Sequence, residues 1–144
     1  MNLKRILFGG IAAGIWINAI EYTAHEVILG QRYMALIKMG HYFPEPTIPF
    51  MPINIGISLF VGFFLAVLYA ASRGSLKPGP LTAIKVGLAV GCIAAIPGNV
   101  AAVAWSTVGK LVPFVTCLAI LAECIGGTLI AAAIYKSKDG PQNK

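Results

Sequence analysis

The sequence is poor in charged side chains, and acidic residues are the rarest of these. Charged residues make up 11% of its 144 positions, with five Asp and Glu against eleven Lys and Arg. In soluble domains the charged fraction is about a quarter, so the composition excludes an ordinary soluble fold. The net charge of +6 does not indicate nucleic acid, because Lys and Arg form no cluster interleaved with aromatic residues. No nucleic-acid partner is expected.

Cysteine is also scarce, and its positions give no sign of a disulfide framework or a metal site. Cys92, Cys117 and Cys124 are odd in number and lack Cys-x-x-Cys spacing. No Gly-rich phosphate loop follows a strand, and no nucleophile is paired with a base. The sequence therefore predicts no enzyme activity, no metal and no other resident cofactor.

Long apolar runs are abundant, since 58% of the residues are hydrophobic. At about 1.5 Å per residue, four of these runs are long enough to cross a hydrocarbon core of about 30 Å. They predict spans at about residues 6–29, 53–71, 81–104 and 112–135 within one membrane domain, 1–144. The first run resembles a signal peptide, but Glu21 and His25 stand where a small-residue cleavage site should be, so we expect it to be retained. The predicted fold is an all-α, integral membrane four-helix bundle in contact with the lipid bilayer.

The connection between the first two spans, about residues 31–52, has a distinct composition. Residues 31–39 can form a short amphipathic helix ended by Gly40, and four prolines keep the following chain extended. Amphipathic helices and aromatic residues beside a span are typical of a segment at the membrane interface. Two interpretations stay open, a connector that follows the membrane surface or a lid over a site.

The distribution of Lys and Arg predicts the orientation. One side collects most of the positive charges, namely Lys4, Arg5, Arg73, Lys77, Lys136, Lys138 and Lys144. Both termini are therefore predicted to be cytoplasmic, with the Pro-rich connection outside.

A few polar residues interrupt the apolar runs and form the candidate site. Asn18, Glu21 and His25 fall on one face of the first helix, which Gly10 and Gly14 extend backwards. A carboxylate in the bilayer costs about 2.5–3.5 kcal/mol on insertion scales, so such residues are expected to face other helices.

The third and fourth spans add polar residues to this candidate site. Glu123 is predicted near the midplane of the fourth span, and the third span is expected to bury Cys92, Ala95, Asn99 and Ser106 on one face. We predict an intramembrane polar site that comprises Asn18, Glu21, His25, Asn99 and Glu123, in a pocket open to the outside.

The roles of these residues stay open at this level. Glu21 and His25 are four residues apart and could pair with each other, form a proton or cation site, or supply a metal or haem ligand through His25. Their spacing differs from the Glu-x-x-His of di-iron bundles. Glu123 could be functional or a hydrogen-bonded packing carboxylate.

Two segments carry resemblances to known families. The pattern Leu3-Lys4-Arg5, Gly9-Gly10, Asn18 to Tyr22, Val27 to Gly30 and Pro78 to Ile84 resembles a family of small uncharacterised bacterial four-span membrane proteins. That resemblance implies four helices in the bacterial inner membrane and no known activity. Residues 121–129, around Glu123, are similar to the segment that holds the membrane glutamate of small multidrug resistance transporters. In that family the segment lies in the first helix rather than the fourth, and the resemblance implies a proton and substrate site at Glu123.

Three classes of function follow from these patterns. The leading one is an accessory or structural subunit that packs in a larger membrane complex or with copies of itself. The second is a small proton-coupled transporter or channel that uses Glu123. The third is a haem, pigment or metal-binding subunit that uses His25.

Overall fold

A computed structural model describes residues 2–135, and every regular element in that range is a helix. Helix α1 spans Leu3–Tyr22 and continues into a π-helical turn, Thr23–Ile28. The remaining helices are α2, α3, α4 and α5, which span Gly30–Lys38, Phe50–Ser72, Pro80–Trp105 and Leu111–Tyr135. Three of the lysines used to predict orientation, Lys136, Lys138 and Lys144, lie outside the described residues.

Four of the helices are long and apolar enough to cross a membrane. They are Leu3–Ile28, Phe50–Ser72, Pro80–Trp105 and Leu111–Tyr135, with mean hydropathies of 1.4, 2.2, 1.9 and 2.1. The all-helical fold class and the four long apolar helices are therefore confirmed. Helix α4 contains Pro97 and continues past it to Trp105.

The short helix predicted in the first connection is also present as α2. It ends where expected, because Gly40 takes a φ of +78°, which favours glycine. The Gly40 N–H donates to the Ile37 carbonyl at 2.9 Å and the His41 N–H donates to the Leu36 carbonyl at 2.9 Å. This pair of bonds is a Schellman motif, and it satisfies carbonyl groups that the end of the helix would leave unpaired.

The long helices form an antiparallel bundle. Helix α1 packs against α3 and α5, and α5 packs against α1 and α4. We call the end where α1 enters the π-helical turn the upper end. The opposite end is the lower end, where the Asn2 N–H donates to the Tyr135 hydroxyl at 3.1 Å.

Small residues bring α1 and α3 into backbone contact. A Cβ added at Gly10 would lie 2.7 Å from the Cα of Phe63, and one added at Gly14 would lie 2.8 Å from the Cα of Leu59. A Cβ added at Gly62 would clash with the backbone of Gly10 and Gly14. Close approach through residues spaced by four is typical of helix association in membranes. This contact leaves no space between the two helices.

A second contact of the same kind joins α4 to α5. A Cβ added at Gly87 would lie 2.6 Å from the Cys124 carbonyl oxygen. The buried residues of α4 recur mostly every four positions and are Thr82, Ala83, Gly87, Gly91 and Ala95.

The face predicted for the third span is only partly correct. Ala95 is buried, but Cys92 and Asn99 are half-buried and Ser106 is exposed beyond the end of α4. The prediction followed the polar side chains, whereas packing is decided by the small ones.

Tyrosine side chains join the elements at the lower end. The rings of Tyr69 and Tyr135 meet edge to face with centroids 6.4 Å apart, and the Arg73 guanidinium carbon lies 5.1 Å from the Tyr135 ring centroid. The Gly79 N–H donates to the Tyr69 hydroxyl at 3.3 Å. With the bond from Asn2, these contacts tie the start of the chain and the α3–α4 turn to the end of α5.

Candidate functional site

A cavity of about 880 Å³ opens at the upper end of the bundle. It lies between the end of α1, α2, the Pro-rich segment 42–48 and the start of α3. Its lining combines polar, aromatic and aliphatic side chains, and includes Asn18, Glu21, Tyr22, His25, Glu26, Tyr33, Met34, Ile37, Tyr42, Phe43, Glu45, Phe50, Met51, Asn54 and Ile55. We call it the upper cavity.

The π-helical turn places two of the lining residues. Its wider turn is seen in the Leu29 N–H, which donates to the carbonyl of Ala24, five residues earlier rather than four, at 3.0 Å. His25 and Glu26 lie within this turn, and both line the upper cavity. π-Helical turns are rare in proteins, and a large share of those that occur lie at functional sites.

A hydrogen bond between helices holds Glu21 in the cavity wall. The Asn54 side-chain amide on α3 donates to the Glu21 carboxylate at 2.9 Å. The Asn18 amide, one turn earlier, donates instead to the Gly14 carbonyl of its own helix at 3.0 Å. Asn54 therefore supplies the partner that a half-buried carboxylate needs.

His25 belongs to an aromatic group that spans three elements. Its Nδ1 lies 2.9 Å from the Tyr33 hydroxyl, and the two rings stack with centroids 5.7 Å apart. Tyr42 meets Tyr33 edge to face at 5.5 Å. The simple pairing of Glu21 with His25 is not the observed arrangement, since each side chain is hydrogen-bonded to a different residue.

Contacts with the other helices fix the position of α2. The pKa of Tyr33 is raised to about 12, mainly by burial and also by the nearby Tyr42, while a hydrogen bond with Thr116 of α5 opposes the shift. The Arg32 guanidinium donates to the Val108 carbonyl, between α4 and α5, at 3.3 Å. Helix α2 is thus docked on the bundle as a fixed wall of the upper cavity.

The electrostatic character of the upper cavity is opposite to that of the whole chain. Glu21, Glu26 and Glu45, three of the five acidic residues of the sequence, line it, and no lysine or arginine is among the residues that surround it. The net charge of the chain is +6. The cavity is therefore a local acidic region in a basic protein.

Glu123 lies close to the upper cavity without lining it. It is half-buried on α5 and interacts electrostatically with Glu21. One helical turn below, the Trp16 ring lies against Gly126, and the Trp16 indole N–H donates to the Ala122 carbonyl at 3.2 Å. Glu123 is thus placed among packed helices beneath the cavity.

Asn99 lies in a different place from the other predicted site residues. Its amide donates to the Ala95 carbonyl at 2.8 Å, and its side chain lines a separate, apolar groove of about 460 Å³ between α4 and α5. The structure thus brings Asn18, Glu21 and His25 together in the lining of the upper cavity, places Glu123 outside that lining but in electrostatic interaction with Glu21, and leaves Asn99 apart.

Other lining residues are not singled out as site residues by the sequence patterns. Glu26 and Glu45 are exposed, and both line the upper cavity. Tyr33 and Asn54 reach it only because α2 and α3 fold against the end of α1. Across residues 2–135, no group of three or more His, Cys, Asp and Glu residues that could hold a metal ion is found.

Comparisons with protein-family models, with curated proteins and with solved structures find no match to this chain.

Proposed function

We propose that the chain is a four-span membrane protein that acts as an accessory, non-catalytic subunit and binds a small molecule in the upper cavity. The four long apolar helices support the membrane location. The cavity of about 880 Å³ is the observation that carries the binding role. Its volume is within the range of about 300–1,000 Å³ that is usual for small-molecule sites, and its lining has the usual mixture of apolar walls and few polar groups.

The orientation proposed is with both termini in the cytoplasm of a bacterium and the upper cavity on the outer side of the inner membrane. Among the described residues, Lys4, Arg5, Arg73 and Lys77 lie at the lower end, which the positive-inside rule assigns to the cytoplasm. The bacterial membrane is implied by the family resemblance. A ligand would then enter from outside.

Packing below the cavity favours binding over passage. Ser58 is one helical turn below Asn54 and is 2% exposed, and Leu65 and Ala66 below it are 1% and 3% exposed. The glycine contacts of α1 with α3 lie at the same level. A ligand can therefore reach Glu21 from the upper end, and the interior offers no route onward.

Cysteine accessibility tests this arrangement. In a chain with Cys92, Cys117 and Cys124 replaced by alanine, Met51→Cys in the cavity wall should react with a membrane-impermeant maleimide added outside intact cells. Ser75→Cys, in the lower turn, should react only after permeabilisation. Ser58→Cys, a nearly isosteric change, should stay unlabelled from either side. Labelling of Ser58→Cys from both sides would show a continuous path through the bundle and contradict the tight packing proposed below the upper cavity.

A second candidate is a small proton-coupled carrier, and the electrostatic interaction between Glu21 and Glu123 favours it. One of these interacting carboxylates lines the cavity and the other lies deeper in the bundle. A carrier of this kind requires the helices that pack tightly below the upper cavity to separate during transport. It predicts proton movement in liposomes that Glu123→Gln abolishes, whereas the accessory subunit predicts none in either protein.

A further inference from the structure

The chemistry of the upper cavity defines which ligands it can hold, an inference that rests on the proposed binding role. Carboxylates supply its only full charges when His25 is neutral, since no lysine or arginine is among the lining residues. On α2, the Arg32 guanidinium donates to the Val108 carbonyl, and Lys38 is exposed and does not line the cavity. A negatively charged ligand would be repelled, and a cation would find no competing positive group.

The carboxylates are arranged from the rim inward. Glu26 and Glu45 are exposed, whereas Glu21 is half-buried and is held by the Asn54 amide. Exposed charges of one sign at a cleft attract opposite charges in solution, and a partly desolvated charge inside interacts more strongly. One hydrogen bond from Asn54 leaves the Glu21 carboxylate with further capacity to accept.

Aromatic rings form a large part of the remaining wall. Tyr33 joins His25 and Tyr42 in one group, and Tyr22 and Phe50 also line the cavity. Aromatic faces attract ammonium and other organic cations, most strongly where water is displaced. Small inorganic cations would gain little from such a wall, because they hold their hydration water.

Aliphatic side chains complete the site. Met34, Ile37, Met51 and Ile55 line the cavity, and methionine adapts to irregular shapes. The geometry points to an organic cation with an apolar body as the ligand of the upper cavity, with the positive group near Glu21 and the apolar body against α2 and the start of α3.

A pair of probes of similar size and opposite charge tests this assignment. The full chain is placed in nanodiscs of zwitterionic lipid, and the binding of benzyltrimethylammonium and of phenylmethanesulfonate is measured by equilibrium dialysis. The cation should bind saturably and the anion should not. Glu21→Gln should weaken cation binding about tenfold, because it removes a partly desolvated charge.

Two further variants test whether the effect depends on charge at the cavity rather than on the net charge of the protein. Glu26→Gln changes an exposed side chain, leaves the fold intact and should weaken cation binding about twofold to threefold. Ser75→Lys changes the net charge by the same amount at the lower end and should leave binding unchanged.

The outcomes separate this inference from the proposed function. Equal binding of the two probes, or cation binding that both glutamate variants leave unchanged, would overturn the choice of a cation but keep a small-molecule site. If neither probe binds and Met51→Cys is not labelled from outside, the binding role itself is contradicted.

Discussion

The two ends of the bundle are built from different side chains, although the same four helices run through both. At the lower end, two tyrosine hydroxyls accept backbone N–H bonds from Asn2 and Gly79, and the rings pack against each other. At the upper end, aromatic and acidic side chains surround a cavity of about 880 Å³. The tyrosines of the lower end thus bond to backbone groups of other segments, whereas Tyr33 at the upper end bonds to a histidine that lines the cavity.

The middle of the bundle separates these ends, and its glycines offer the largest expected effect. Gly62→Ala should lower the free energy of unfolding by about 3 kcal/mol, or prevent folding, because the added methyl group meets the backbone of α1. Thermal unfolding in mild detergent measures it. Gly56→Ala, on the same helix with nothing within 4 Å of the added Cβ, is the matched control and should be nearly neutral. Equal effects of the two changes would mean that α1 and α3 are not in backbone contact.

The link between Glu21 and Asn54 should give the next largest effect. Asn54→Ala removes the amide that donates a hydrogen bond to the Glu21 carboxylate, and should destabilise the protein by about 2 kcal/mol. Asn18→Ala makes the same chemical change across the cavity but breaks a bond only within α1, so about 0.5 kcal/mol is expected. The same unfolding measurement applies to both. If Asn18→Ala lost more stability than Asn54→Ala, the bond within α1 would contribute more than the bond between Asn54 and Glu21, and the prediction would be wrong.

The lower end should respond less to the loss of one hydroxyl. Tyr135→Phe keeps the ring contacts and removes the acceptor of the Asn2 N–H, with an expected loss of about 1 kcal/mol. Because Asn2 is exposed, water can replace part of the bond at its N–H. If Tyr135→Phe proves more damaging than Asn54→Ala, the lower end contributes more to stability than the upper polar link, and the expected order of the two effects is reversed.

The last effect is absent at neutral pH, appears only at alkaline pH and belongs to the upper end. The pKa of Tyr33 is raised to about 12 by burial, above its ordinary value of 10.0. A raised folded-state pKa adds stability that is complete below the unfolded value and is lost as pH rises through the folded one. The unfolding temperature should therefore fall between about pH 10 and pH 12, and Tyr33→Phe should flatten that fall. An unchanged slope would show that the Tyr33 hydroxyl is not buried in this way.

Several parts of the fold follow from sequence patterns because each depends on local chemistry. Four apolar runs predict four long helices, and Gly40 predicts the end of α2, where the observed φ is +78°. The grouping of Asn18, Glu21 and His25 follows from their spacing on one helix. The π-helical turn at Thr23–Ile28 has no clear sequence signal, since a wider turn is stabilised only by what packs around it.

The remaining features of the candidate site depend on how helices meet. Asn99 is predicted to share a site with Glu21, yet its side chain lines a separate groove between α4 and α5. Depth says how far along a helix a residue lies, whereas the rotation of α4 is set by the stripe from Ala83 to Ala95. Asn54 and Tyr33 become partners of Glu21 and His25 for the same reason.

By itself, the sequence determined that this protein is helical, apolar and divided into four long helices, because hydrophobicity and helix length are properties of single segments. It also determined that acidic groups are few and that Glu21 and Glu123 stand within apolar runs, where a carboxylate needs a partner. Only the tertiary structure decided that three of the acidic residues line one cavity, that glycines close the bundle beneath it, and that tyrosines close the lower end. The physical reason is that these properties arise from contacts between helices, and contacts depend on rotation and close approach rather than on local preference.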